Sequence, residues 1–470
     1  RLGFLRGSDL DGNYRAKWIT SGWKSTAPLK CGKSTTSNTM SDGGKEVHPR
    51  ALSTETQRSM GGTGAVPAPS FERATGDTPH RNNEGLRRHP HQRVDSLYAT
   101  TVFVIATWFL ISIYPVSRPH PFSDDWTFTD IVGAGWRNFI EWVLAQHVDH
   151  RIPLVKSVQY LVLRITRFDF RALVLLNVVV AVLGVIGYKQ FARRYRGHLA
   201  LGDLIMPLIL LNFSFGLFGW GFSAQFSFSV SLALVFLFVF VEAQQRASRP
   251  LLALALAILL ACGACGMNGV VLAFISTCIL LLTFLCARHL PMRRESIGGL
   301  VLVLTILLLV VLNWKPSAAS SSMASLDMNR LCRWLLHLAK SSFATDAVKY
   351  KDWLTIFCTL FTLAGAAKGF ASALALVRGK LPVASAALLA IYAGFMTVGL
   401  VVAVGRSGTS EWSPGLEMHY GYLVAPLIPL SWLMISTAIN ERLSMALGAI
   451  LVVLYAHAYY AGAKWRFEYL

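Results

Sequence analysis

Residues 250–287, PLLALALAILLACGACGMNGVVLAFISTCILLLTFLCA, contain no charged side chain. A helix that crosses the hydrocarbon core of a bilayer needs about 20 apolar residues, so this run is too long for one helix and long enough for two. Glycine and asparagine break helices and form turns, and four of them lie near its middle: Gly263, Gly266, Asn268 and Gly269. The stretch therefore predicts a membrane hairpin with a tight turn.

Apolar runs of similar character continue on both sides of this hairpin. The chain is 54% hydrophobic and only 15% charged, whereas soluble domains keep about 25% charged residues. We predict an all-α, polytopic transmembrane bundle of about eleven spans. The predicted spans are 97–115, 171–188, 201–218, 227–242, 250–265, 269–287, 297–313, 353–376, 382–404, 421–438 and 443–461.

A polar, basic tail precedes the first span. Residues 1–95 are rich in Ser, Thr, Gly, Arg and Asn without an apolar period, which predicts disorder. Met40 and Met60 are candidate translation starts, so the earliest residues are a candidate non-native segment. The first apolar run is expected to act as an uncleaved signal anchor. The predicted domains are the tail, a transmembrane domain at 96–462 and an outer C-terminal stub at 463–470.

Lysine and arginine are concentrated in alternate links between the spans. The basic links contain Lys189/Arg193/Arg194/Arg196, Arg246/Arg249, Arg288/Arg293/Arg294, Arg378/Lys380 and Arg442. Because cytoplasmic loops are enriched in these residues, this pattern predicts a cytoplasmic N-terminus, an outside C-terminus and four outer loops, at 116–170, 219–226, 314–352 and 405–420. The net charge of +19 is thus typical of solvated loops beside membrane lipids, and we expect no nucleic-acid partner.

The first outer loop contains most of the candidate chemistry. Asp124 and Asp125 follow the first span closely, and they are candidates either for catalysis or for capping the next helix. A stripe of Val132, Trp136, Phe139, Ile140 and Val143 predicts an interfacial helix over 131–146, and a second amphipathic stretch covers 152–167. Between the two stretches lie His147, Asp149, His150 and Arg151. An acidic pair, an interfacial helix and this cluster together are typical of the rim of an active site.

Four strings in this order resemble the GT-C class of polytopic glycosyltransferases, in particular an uncharacterised bacterial subgroup. They are Ser123–Trp126 (SDDW), Gln146–Ile152 (QHVDHRI), Trp220–Phe226 (WGFSAQF) and Gly405–Gly408 (GRSG) followed by His419 and Tyr420. The chain departs from the subgroup's pattern at three places. Val148 and Asp149 replace Asn and Glu, Ser223 replaces Gln, and His419 stands where Arg is usual.

The resemblance implies inverting transfer of a sugar from a polyprenyl-phosphate donor to an unknown acceptor. The reaction would take place on the outer face of a bacterial-type cytoplasmic (inner) membrane, in the cell envelope. It implies Asp125 or Asp124 as the general base. Its candidate donor or sugar contacts are His147, Asp149, His150, Arg151, Gln225, Lys315, Arg406, His419 and Tyr420.

Several alternatives stay open at this point. Arg406 and Lys315 also fit ordinary snorkelling and interfacial anchoring. His147, Asp149 and His150 could hold a divalent cation, although we predict no defined metal site and no certain cofactor. A transporter or flippase of a lipid-linked saccharide is the alternative function. The absence of a glycine-rich phosphate loop and of strand–helix alternation argues against a nucleotide-sugar enzyme.

Overall fold

The structure is a computed structural model, and it describes residues 84–121, 123–133, 135–147, 151–212, 221–315, 327–341, 343, 352–406 and 418–469. Most of the predicted tail therefore lies outside the described residues. So do Asp149 and His150, and the side chain of Asp124. Every regular element of the described part is helical, which confirms the all-α prediction.

Fifteen α-helices follow one another along the described chain. They are α1 (Glu84–Trp108), α2 (Trp136–Leu144), α3 (Pro153–Ile165), α4 (Arg171–Arg196), α5 (Ile205–Leu210), α6 (Ala224–Gln245), α7 (Arg249–Gly263), α8 (Met267–Cys286), α9 (Arg293–Leu312), α10 (Met328–Ser341), α11 (Asp352–Val377), α12 (Val383–Arg406), α13 (Met418–Val424), α14 (Leu427–Ser436) and α15 (Glu441–Tyr469). Short 3-10 segments cover Ser123–Ile131, Leu201–Leu204 and Gly221–Ser223.

Eight of the described helices are long and apolar enough to cross a membrane, which indicates an integral membrane protein. They are Gln92–Val116, Arg171–Arg196, Gly221–Gln245, Met267–Cys286, Arg293–Leu312, Trp353–Val377, Val383–Arg406 and Glu441–Ala461. The predicted count of eleven is not confirmed. In two of the other predicted spans the described residues form shorter apolar helices, at Leu201–Leu210 and Arg249–Gly263. The third is interrupted at Pro426, because proline has no N–H with which to continue a helix.

The predicted hairpin and the two helices predicted in the loop 116–170 are present, with shifted boundaries. α7 ends at Gly263 and α8 begins at Met267, with Gly266 between them at a φ of +130°, which glycine tolerates best. α3 matches the second amphipathic stretch. The first predicted helix is shorter than expected, because Val132 lies in a turn and α2 begins only at Trp136.

Contacts between helix ends define a basic end of the bundle. Arg193 pairs with Asp95 at 3.1 Å, and Arg249 pairs with Glu295 at 3.0 Å. A third ion pair, Arg196 with Asp203, is buried there. The basic links after α4 and before α7 and α9 thus lie at the same end. The opposite end contains the Asp125 region.

α6 is the central helix, with 83% of its apolar window buried. Gly184 and Gly187 of α4 lie so close to Ser231 and Val235 of α6 that neither glycine has room for a Cβ. Small residues allow this close approach of membrane helices. By contrast, the spans containing α1, α9, α11 and α15 are largely exposed along their apolar windows. Their apolar surfaces are suited to contact with lipid.

Candidate functional site

The candidate site surrounds the start of the central helix. The 3-10 turn Gly221–Ser223 leads into α6, and the first N–H groups of a helix have no partner within it. The carboxylate of Asp125 accepts a hydrogen bond from the N–H of Phe222 at 2.7 Å, and Asp125 is only 3% exposed. Asp125 therefore caps the 3-10 turn that leads into α6, a helix distant in sequence. The hydrogen bond fixes the orientation of the carboxylate.

Three other side chains hold the same turn in place. The Gln159 side-chain amide of α3 donates to the carbonyl of Gly221. Asn177 of α4 donates to Ser223 Oγ at 3.4 Å. The ring of His147 lies 4.5 Å from that of Phe222 between centroids. Neither Gln159 nor Asn177 was predicted as a site residue, although an amide on an apolar helical face is a signal for such a role.

Lys156 holds the amphipathic helix α2 beside this turn. Its Nζ donates to the carbonyls of Trp142 at 2.8 Å and Ala145 at 3.0 Å, and it lies 4.9 Å from the centroid of the Trp142 ring. These carbonyls belong to the C-terminal end of α2, where helices lack internal donors and favour a positive charge. Burial lowers the pKa of Lys156 to about 8. Lys156 was not predicted as a site residue either.

An aromatic and cationic cluster lies one turn further along α6. The ring of Phe226 is 5.3 Å from that of His419. Tyr420 packs against His419 at 4.1 Å and lies 5.6 Å from the guanidinium of Arg406. Burial, and next the charge of Arg406, lowers the pKa of His419 to about 4. His419 is therefore neutral at neutral pH, and Arg406 is the cation of the cluster.

The structure thus brings several of the predicted residues around one helix start. Phe222, the partner of Asp125, lies in the 3-10 turn before α6, and Phe226, the neighbour of His419, lies four residues later in the first turn of α6.

The remaining candidates lie around this region or outside it. The Gln146 side chain donates to the carbonyl of Lys315 at 2.7 Å, which joins the loop before α3 to the end of α9. Gln225 is buried at the start of α6, whereas Arg151 is exposed. Among the described residues, no group of three His, Cys, Asp or Glu side chains is placed to hold a metal ion.

An apolar cavity of about 220 Å³ lies next to the aromatic cluster. Its lining includes Leu335 and Leu338 of α10, Leu363 of α11, Met396 of α12 and Leu427 of α14. The adjoining Trp334 of α10 lies 6.4 Å from Tyr420 between ring centroids. The cavity is therefore close to the cluster that contains Arg406.

No family model, no curated protein and no solved structure matches this chain. The chemistry of the site must therefore be judged from its own residues. These are a fixed carboxylate, a guanidinium with a neutral imidazole, and an apolar cavity beside them.

Proposed function

We propose that this chain is a membrane glycosyltransferase of GT-C type that uses a polyprenyl-phosphate-linked sugar. The observation that carries the proposal is the position of Asp125 and of the Arg406 cluster around the start of one helix. One side offers a proton acceptor, and the other offers a cation for phosphate. Transfer of a sugar from a phosphate to a hydroxyl requires both.

In the proposed reaction, the acceptor oxygen attacks the anomeric carbon of the donor sugar. Asp125 takes the proton of the acceptor hydroxyl while the glycosidic bond forms. The bond between the anomeric carbon and the phosphate oxygen breaks, and its electron pair leaves with the phosphate. Attack from the face opposite the phosphate inverts the configuration.

Arg406 is the proposed phosphate contact because a guanidinium donates two parallel hydrogen bonds to phosphate oxygens. Its position over Tyr420 limits the conformations of its side chain. His419 stays neutral and contributes an N–H donor rather than a second charge. The apolar cavity beside the cluster supports a donor with a hydrocarbon chain. The proposed setting is the outer face of a bacterial-type inner membrane, with the N-terminus inside.

The test is release of polyprenyl phosphate by the purified protein, measured with a panel of lipid-linked sugars. We expect turnover of at least one donor, and a loss of turnover in Arg406→Gln. Arg378→Gln is the matched control, because Arg378 is an exposed arginine at the far end of α11, in a link predicted to be cytoplasmic. Absence of release with every donor, or equal rates for the two variants, would contradict the proposal.

A transporter or flippase of a lipid-linked saccharide is the second candidate. Transporters build binding sites from discontinuous helices, and the interruption between α13 and α14 at Pro426 is such a feature. A flippase would move a fluorescent lipid-linked saccharide across a proteoliposome without an acceptor and without releasing polyprenyl phosphate. That result would favour transport over transfer.

A further inference from the structure

A groove of about 630 Å³ lies at the basic end, away from the candidate site. It opens between the first residues of α7 and α9. Three arginines and one glutamate line it: Arg249, Arg293, Arg294 and Glu295. The groove therefore has two more positive than negative side chains, which favours an anionic ligand.

Internal bonds hold the walls of the groove in place. Arg293 Nε donates to the carbonyl of Phe284 at 2.7 Å, and Arg249 pairs with Glu295 at 3.0 Å. Arg294 is exposed and makes no hydrogen bond or ion pair with a described residue. Its guanidinium is available to a ligand, while the other two arginines are already positioned.

The helix ends add to the positive potential. Both α7 and α9 begin at the groove, and the start of a helix carries a partial positive charge. The Met292 side chain makes no capping hydrogen bond at the start of α9, where Glu295 lies in the first turn. At the start of α7, Ser248 Oγ accepts a hydrogen bond from the N–H of Leu251. The fields of two helices and three arginines therefore act on the same space.

Exposed apolar residues follow the lining residues along α9 and α7, outside the lining of the groove itself. Arg294, Gly298 and Leu302 are spaced four residues apart, so they share one face of α9. A side chain at Gly298 would meet no atom within 4 Å, and Leu302 is 60% exposed. On α7, Pro250 lines the groove and Leu254, one turn deeper, is 49% exposed. The surface thus suits a molecule with an anionic head and an apolar chain.

We propose that this groove binds an anionic phospholipid from the leaflet at the basic end. The phosphate lies among the three arginines, and an acyl chain follows the face of α9 past Gly298 to Leu302. A free phosphate would use the arginines alone and leave this apolar face uncovered. Basic pockets between membrane helices bind anionic headgroups by the same combination of charge and apolar contact. The site is independent of sugar transfer.

The test is lipid binding to the purified full chain in neutral detergent, measured by native mass spectrometry. The two probes are phosphatidylglycerol and phosphatidylcholine with identical acyl chains. We expect tighter binding of phosphatidylglycerol, weakened about fivefold in Arg294→Gln, since each arginine near a membrane surface contributes about this factor. Glu295→Gln removes the only negative side chain of the lining and should tighten binding.

Arg442→Gln is the matched control, because Arg442 is exposed in another basic link and does not line this groove. It should leave the affinity for phosphatidylglycerol unchanged, and every variant should bind phosphatidylcholine like the wild type. Equal affinities for the two lipids, or equal effects of the Arg294 and Arg442 variants, would overturn the proposal. Displacement of phosphatidylglycerol by excess inorganic phosphate would also overturn it, because the site would then bind the free anion.

Discussion

Replacing Asp125 separates its structural role from its proposed catalytic role. Asp125→Ala removes the acceptor of the buried Phe222 N–H, and an unpaired buried donor costs about 1–3 kcal/mol of unfolding free energy. Asp125→Asn keeps an acceptor oxygen, and asparagine caps a helix about as well as aspartate does. This substitution should therefore lower the free energy of unfolding by less than about 1 kcal/mol. The asparagine cannot take a proton, and loss of a general base lowers a rate by about 10² to 10⁴.

Both quantities are measured on the same preparations, the unfolding midpoint in detergent and the rate of polyprenyl phosphate release. Asp130→Asn is the matched control, since Asp130 is an exposed carboxylate of the same 3-10 segment. The expected pattern is a folded but inactive Asp125→Asn and an active Asp130→Asn. A wild-type rate for Asp125→Asn, with a destabilised Asp125→Ala, would show that Asp125 only caps the helix.

Four further predictions concern neighbouring features. The pKa of Lys156 falls from 10.5 to about 8 on folding. The free energy of unfolding should therefore rise as the pH increases from about 8 to 10.5, because the unfolded state still binds a proton there that the folded state has lost. The difference in unfolding midpoint between wild type and Lys156→Met should show this rise. The pKa of His419 falls from 6.5 in the unfolded chain to about 4 in the folded protein. Stability should therefore fall as pH drops from 6.5 to 4, and the fall should be smaller in His419→Gln. Gly221→Ala places a Cβ 2.7 Å from Leu173 Cδ1 and 3.1 Å from an Asp125 carboxylate oxygen, so it should lower both the unfolding midpoint and the transfer rate. Cysteines introduced into 116–170 should react with an impermeant reagent on intact cells, and labelling only after permeabilisation would contradict the outer placement.

Hydropathy predicts where apolar helices occur, because lipid imposes the same requirement on every span. It does not predict where they end. α4 continues to Arg196, beyond the predicted end at 188, because Arg196 is paired with the buried Asp203. Nor did it predict the interruption at Pro426, because the apolar run around this proline is continuous in sequence.

The sequence predicted which loops contain the site residues but not the contacts between those residues. The sequence predicted that Asp125 and Arg406 belong to loops on the same side of the membrane, because this prediction requires only the number of spans and the charges of the links. It contained no sign that Asp125 bonds to Phe222, because this contact depends on the packing of α3 and α4 against the turn. The role of Lys156 could not be predicted for the same reason, because its two carbonyl partners lie at the end of a neighbouring helix.

The tight turn between α7 and α8 has a consequence for biogenesis. Only residues 264–266 join the two helices, and this link is too short for the two helices to insert into the bilayer separately. α7 has 15 residues, about 22 Å of helix, which is short for independent insertion. The carbonyl of Ala264 also accepts a hydrogen bond from the N–H of Leu154 at 3.3 Å. We therefore expect the pair to insert as one unit, and its turn contacts a loop that precedes it in the chain.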